Sequence, residues 1–172
     1  MDRPLVLVGL PGSGKSSVGL LVAQALAVPF VDLDREIESE AGRTIVRIFE
    51  EDGEDAFRAL EARLGRRFLT GAPCVLAPGG GFFLNLETRR LALERALTVY
   101  LVTSPAEAAR RLGTSQVRPL LRGYVPELRL RLLLEQRDSV YREAQQQVTT
   151  DGRTPASVAA DVLELARGVG VR

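Results

Sequence analysis

Residues 9–16 read Gly-Leu-Pro-Gly-Ser-Gly-Lys-Ser, and they constrain the fold more than any other stretch of the chain. An apolar run, Leu5-Val6-Leu7-Val8, leads into them, and apolar residues at helical spacing, Val18, Leu21, Val22 and Ala25, lead out. Strand, glycine-rich turn and helix in that order are the setting required by the phosphate-binding pattern G-x-x-x-x-G-K-[ST]. The residue types follow from the chemistry. Successive backbone N–H groups must converge on phosphate oxygens, so side chains are excluded at the bends. The start of the next helix adds unpaired N–H groups and the positive end of its dipole. The motif therefore places bound phosphates against Gly12, Ser13, Gly14, Lys15, Ser16 and Ser17, with Lys15 reaching the β- and γ-phosphates and the Ser16 hydroxyl on Mg²⁺. A flexible loop with a solvated lysine is the ordinary alternative. Against it stands the basic composition: of 23 basic residues, 22 are arginine and the single lysine is Lys15. A compact ammonium on a thin stem fits a nest of backbone amides where a planar guanidinium does not.

The remaining composition narrows the function classes. A chain of 172 residues is expected to form one domain, 1–172, with a substantial core. A net charge of +1 provides no general attraction for nucleic acid or anionic membranes. The absence of histidine removes histidine-based catalysis and the commonest metal ligand. One cysteine, Cys74, cannot form an intrachain disulfide, and its apolar surroundings read as core. The N-terminal apolar run is too short for a signal peptide. The stretch Val18 to Val31 is too short and too interrupted to span a bilayer. A cytoplasmic protein is the expectation.

Strands are expected at Leu5–Val8, at Phe30-Val31, at Cys74–Ala77, at Thr98–Val102 and at Gln147–Thr149. Helices are expected from Gly14 to Ala27, around Ile37, from Thr44 as N-cap, and through Phe57, Leu60, Leu64 and Phe68. Further helices are expected over Leu86–Ala96, from Ser104-Pro105, over Pro126–Ala144 and over Pro155–Ala166. Gly113 to Tyr124 is weakly periodic and reads as a mobile loop. Alternating strands and helices argue an α/β fold with an open, mostly parallel five-stranded sheet covered on both faces. Ligands of such sheets bind beyond the strand C-termini, so Lys15, Asp32, Asp34 and Gly79 to Gly81 should meet on one edge.

Five stretches in order make the chain resemble the shikimate kinase family over nearly its whole length. They are the phosphate loop, Phe30-Val31-Asp32-Leu33-Asp34, Gly53 to Glu61, Gly79-Gly80-Gly81 after an apolar strand, and Arg118-Pro119-Leu120-Leu121 followed by Arg137-Asp138-Ser139-Val140-Tyr141. The resemblance implies a P-loop kinase fold with a mobile lid over about 113–124, and ATP as phosphoryl donor with Mg²⁺. It also implies shikimate as acceptor, in a step of aromatic amino acid biosynthesis, and a monomer.

Residue roles follow from the same resemblance. Asp34 would contact the ring hydroxyls and help deprotonate the attacking one. Asp32 would hold Mg²⁺ through water beside Ser16. Arg58 and Arg137 would clamp the shikimate carboxylate, with Glu61 orienting Arg58. Gly79, Gly80 and Gly81 would let backbone approach the substrate, with the Gly80 N–H as donor to a ring hydroxyl. Arg118 would swing onto the phosphates, and Arg110 and Pro155 would sandwich the adenine. Arg137 has a reading of its own, because it falls in an apolar stripe with Leu130, Leu133, Tyr141 and Ala144, where a charge needs a partner. Phe82-Phe83 after the glycines is bulkier than the resemblance leads one to expect and could alter the pocket. Two other functions compete: another small P-loop metabolite kinase such as a gluconate kinase, and a nucleotide-binding regulatory module without transfer activity.

Overall fold

The computed structural model describes residues 1–113 and 126–168. Five strands, β1 (Leu5–Val8), β2 (Phe30–Asp32), β3 (Val75–Ala77), β4 (Leu97–Val102) and β5 (Gln146–Thr149), make one sheet. Their order is β2-β3-β1-β4-β5, and every neighbouring pair is parallel. Parallel neighbours require crossovers, and the helices provide them. They are α1 (Lys15–Leu26), α2 (Leu33–Ala41), α3 (Ile45–Glu51), α4 (Gly53–Leu69), α5 (Leu86–Arg95), α6 (Pro105–Leu112), α7 (Pro126–Tyr141) and α8 (Pro155–Gly168).

The central strand shows why a continuous apolar run was needed. Side chains alternate across a sheet, so β1 divides its four between two cores. Leu5 and Leu7 join Val18 and Val22 of α1 and Val158 and Val162 of α8 on one face. Val6 and Val8 join Ile37, Phe57, Leu64, Leu130 and Tyr141, from α2, α4 and α7, on the other. The second face is the thicker one, and it carries the cavity described below.

Several helix ends differ from the sequence-based expectation by one to three residues, two of them for evident local reasons. The first helix stops at Leu26 rather than Ala27, because Ala27 adopts the left-handed conformation (φ 52°) and turns its N–H back to Ala23 and Gln24. The long helix stops at Tyr141 rather than Ala144. The Glu143 and Ala144 N–H groups bond three residues back, to Val140 and Tyr141, which tightens the last turn. Ala144 is buried all the same. Cys74 is core as expected, and burial pushes its thiol up to about 11.

Phe82 and Phe83 do not reach the pocket. They form a short 3₁₀ turn, Phe82–Leu84, and both point into the core. Gly65 of α4 makes room, since a Cβ there would collide with the Phe82 ring. The bulk that looked like a change of pocket shape is absorbed by a missing side chain on the facing helix. No helix among the described residues is long and apolar enough to cross a membrane.

Candidate active site

The loop from β1 to α1 is shaped by its glycines. Gly12 has φ +82°, and a Cβ on it would lie 2.6 Å from the Ala108 carbonyl oxygen, so conformation and space both exclude a side chain. No side chain caps the first N–H groups of α1, and its first turn holds no acid. Those amides remain available to an anion. Lys15 is buried at that helix start, and its Nζ donates to the Gly9 carbonyl at 2.9 Å and the Leu10 carbonyl at 2.8 Å. The ammonium is thus held against the loop by backbone oxygens.

The end of β2 brings the second element alongside. Ser16 Oγ donates to Asp32 Oδ2 at 3.1 Å, while Asp32 Oδ1 accepts from the Arg35 N–H at 3.4 Å as N-cap of α2. One carboxylate therefore caps a helix and faces the phosphate loop together. A hydroxyl and a carboxylate are hard oxygen donors of the kind Mg²⁺ takes.

Beside this loop lies a cavity of ≈ 530 Å³. One wall is apolar, made by Ile45, Val46 and Phe49 of α3 with Phe57 of α4. The opposite side is polar: Asp34, Arg58, Glu61, Arg137 and the Gly79–Gly81 loop. The glycines are why these groups converge. A Cβ on Gly79 would sit 3.1 Å from both Asp34 Oδ1 and Glu61 Oε1. One on Gly80 would sit 3.3 Å from Arg137 Nη1, and one on Gly81 would sit 2.5 Å from Arg58 Nη1. Three absent side chains admit two carboxylates and two guanidiniums to one stretch of backbone.

The charges in this cavity are unevenly matched. Arg58 donates to Glu61 at 2.7 Å and to Glu54 at 3.2 Å, so the helix-ladder alternative for Arg58 and the cavity position coexist. Glu61 is buried, and its Oε1 has no hydrogen-bond partner among the described residues. Arg137 is buried too, and its Nη1 likewise lacks one. An unmatched guanidinium nitrogen on a cavity wall favours an anionic ligand.

Glu61 is the unusual titrating group. Burial pushes its carboxyl up to about 7, against the lowering pull of Arg58 and with a further push from Asp34. The proton is therefore held more tightly in the folded chain than at the ordinary value of 4.5. Between those two values the folded state binds more protons than the unfolded one, so this group's contribution to stability falls as pH rises. Thermal unfolding of the wild type and Glu61→Gln, measured from pH 4.5 to 7, should show the wild type losing stability relative to the variant. Parallel profiles would remove Glu61 as the source.

Two expected residues, Pro155 and Arg110, lie outside both the cavity lining and the phosphate loop. Arg118 lies outside the described residues. Pro155 opens α8 on the surface. Arg110 is exposed, with Nε and Nη2 each 2.7 Å from a Glu107 oxygen. Its neighbour Arg111 instead reaches the phosphate loop. Arg111 Nη1 donates to the Ser13 carbonyl at 3.4 Å and to Thr150 Oγ1 at 3.0 Å, and Nη2 donates to the Thr150 carbonyl at 2.6 Å. Arg110 and Arg111 together hold the Glu107 carboxyl down to about 2, with Arg110 contributing most. At 3.6 residues per turn Arg111 lies roughly 60° around α6 from the buried Ala108, and Arg110 roughly 160°.

A parallel sheet in this order, with a phosphate loop after its central strand and an acceptor cavity beside it, defines the small-molecule kinases of the P-loop type, and this chain is one. The shikimate kinase family model matches residues 11–167. The chain belongs to the shikimate kinase family. It is 48% identical over 161 residues to a shikimate kinase of Caulobacter vibrioides, covering 94% of this chain and 80% of that one. It is 47% identical to one of Thermobifida fusca, covering 92% of each. Its fold matches a shikimate kinase from Acinetobacter baumannii, solved in complex with shikimate, with a TM-score of 0.95 at 35% identity over 100% of this chain and 97% of the other. A gluconokinase from Sinorhizobium meliloti, at 24% identity and a TM-score of 0.67, shares the fold alone.

Proposed function

We propose that the chain transfers the γ-phosphoryl group of ATP to the 3-hydroxyl of shikimate, releasing ADP and shikimate 3-phosphate. The observation that carries the acceptor is Arg137: a buried guanidinium with an unmatched nitrogen, on a cavity that also holds Arg58. A small acid supplies the missing carboxylate, and the two arginines take it as a clamp. The apolar wall of Ile45, Val46, Phe49 and Phe57 suits a ring face. Asp34, on the polar side, suits ring hydroxyls and takes the proton that the attacking hydroxyl loses as its oxygen bonds to phosphorus. The Gly80 N–H serves as donor to a ring hydroxyl.

On the donor side, Gly12 to Ser17 cradle the phosphates and Lys15 exchanges the Gly9 and Leu10 carbonyls for phosphate oxygens. Ser16 and, through water, Asp32 hold Mg²⁺, which when bound neutralises phosphate charge and aligns the transferring group. Arg118 keeps the role that the family resemblance implies, on the phosphates. No covalent enzyme intermediate is needed, because positioning and charge stabilisation suffice. The same reading makes the chain a single-domain cytoplasmic monomer.

A coupled ADP-release assay with ATP and Mg²⁺ tests the reading, run with shikimate, with gluconate and with no acceptor. Shikimate-dependent release is expected. Release with gluconate alone would overturn the acceptor, and tight ATP binding without release would leave a nucleotide-binding module.

A further inference from the structure

All three carbonyls of the glycine loop are engaged. The Gly79 oxygen accepts from the Phe82 N–H at 3.1 Å and the Gly81 oxygen from the Leu84 N–H at 3.0 Å. These two bonds are closed by the chain's own next turn. The middle carbonyl, that of Gly80, accepts instead from the Tyr141 hydroxyl at 2.5 Å, from a residue on α7. With each carbonyl already engaged, the loop is better suited to donate to a ligand through its N–H groups than to accept from it.

Tyr141 is held where it can do this. It is buried, and its ring packs on Tyr100 with centroids 5.3 Å apart. The Tyr100 hydroxyl turns elsewhere, donating to Asp138 at 3.0 Å. Burial pushes the Tyr141 phenol up, so it stays protonated and donates. It stands one helical turn beyond Arg137, and the two are neighbours on one face of α7. A Cβ on Gly80 would lie 3.3 Å from Tyr141 Oη, from Arg137 Nη1 and from Pro11 Cδ of the phosphate loop alike. Gly80 is therefore seated between donor loop and acceptor clamp. Glycine resists rotation of its peptide planes less than any other residue. The orientation of the Gly80–Gly81 plane depends on the partner of its carbonyl, and C=O and N–H point opposite ways across a trans peptide.

We infer that Tyr141 is a positioning residue for the phosphoryl acceptor: its hydroxyl, by anchoring the Gly80 carbonyl, fixes the Gly80–Gly81 plane and so presents the Gly81 N–H, on the opposite edge of that plane, at the cavity. The inference rests on the kinase reading above. Losing the hydroxyl leaves the part-buried carbonyl without its donor and lets the plane turn an acceptor toward the ligand.

The test is steady-state kinetics of Tyr141→Phe beside Tyr100→Phe. Each variant keeps its ring and loses one hydroxyl, so a general loss of stability would act on both. Tyr141→Phe should raise the shikimate KM about tenfold while the ATP KM stays within about twofold. Tyr100→Phe should leave both KM values within about twofold. A shikimate KM within twofold of wild type in Tyr141→Phe overturns the inference, as does an equal rise in both variants. Failure of the kinase reading looks different: the wild type itself then shows no shikimate-dependent ADP release.

Discussion

Replacing Lys15 by alanine is expected to cut kcat by roughly 10²–10³-fold, the usual cost of removing one preorganised donor to developing charge. The Lys15 Nζ is held by the Gly9 and Leu10 carbonyls within 2.9 Å, at the mouth of the uncapped α1 N-terminus. The charge is therefore already at the phosphate loop before phosphate arrives, and only its backbone-oxygen partners have to be exchanged. Lys15→Arg should not restore the rate, because a planar fork cannot occupy a site bounded by two backbone oxygens. The acceptor cavity lies on other residues, so the shikimate Kd should stay within about threefold. Rapid-quench measurement of the transfer step decides it. A wild-type rate in Lys15→Ala would remove the residue from the reaction.

Replacing Arg137 by alanine is expected to raise the shikimate KM about 100-fold, within the range for deleting one half of a buried charge pair. The companion expectation concerns stability. Among the described residues Arg137 Nη1 is buried without a hydrogen-bond partner, which is a cost that the fold carries. Truncation removes that cost along with some packing, so the midpoint of thermal unfolding should change little or rise. Saturating shikimate should then raise the midpoint of the wild type and not of the variant. An unchanged shikimate KM would take Arg137 out of the clamp. A large drop in the midpoint without ligand would mean that the guanidinium is paired within the protein after all.

The sequence carried the fold because its signals were local and strong. β1 had to be buried on both faces, and Leu5-Val6-Leu7-Val8 has no other use. The phosphate loop was legible for the same reason, since an unusual backbone shape demands glycine at fixed positions. The family resemblance named Asp34, Arg58, Arg137 and the glycines, and the structure gathers all of them around one cavity. Contacts between distant segments were harder to read. Phe82 looked like a pocket residue because Gly65, the residue that accommodates it, lies on another helix. The partnership of Tyr141 with the Gly80 carbonyl spans 61 positions and leaves no mark on either segment alone. Arg110 and Arg111 are adjacent in the chain, and the contact of Arg111 with the phosphate loop, across 98 positions, leaves no mark on either segment alone.

The division of the core by β1 has a consequence for engineering. Among the described residues, the α1–α8 side, past the first turn of α1, contributes none to the acceptor cavity. Robustness and turnover usually compete, because stabilising substitutions stiffen the parts that work. Here a designer has a sidewall to strengthen, around Val22, Ala23, Val158 and Val162, that is separated from the acceptor cavity by the thickness of the sheet. Tolerance to heat and speed of catalysis can be adjusted on opposite faces of one molecule.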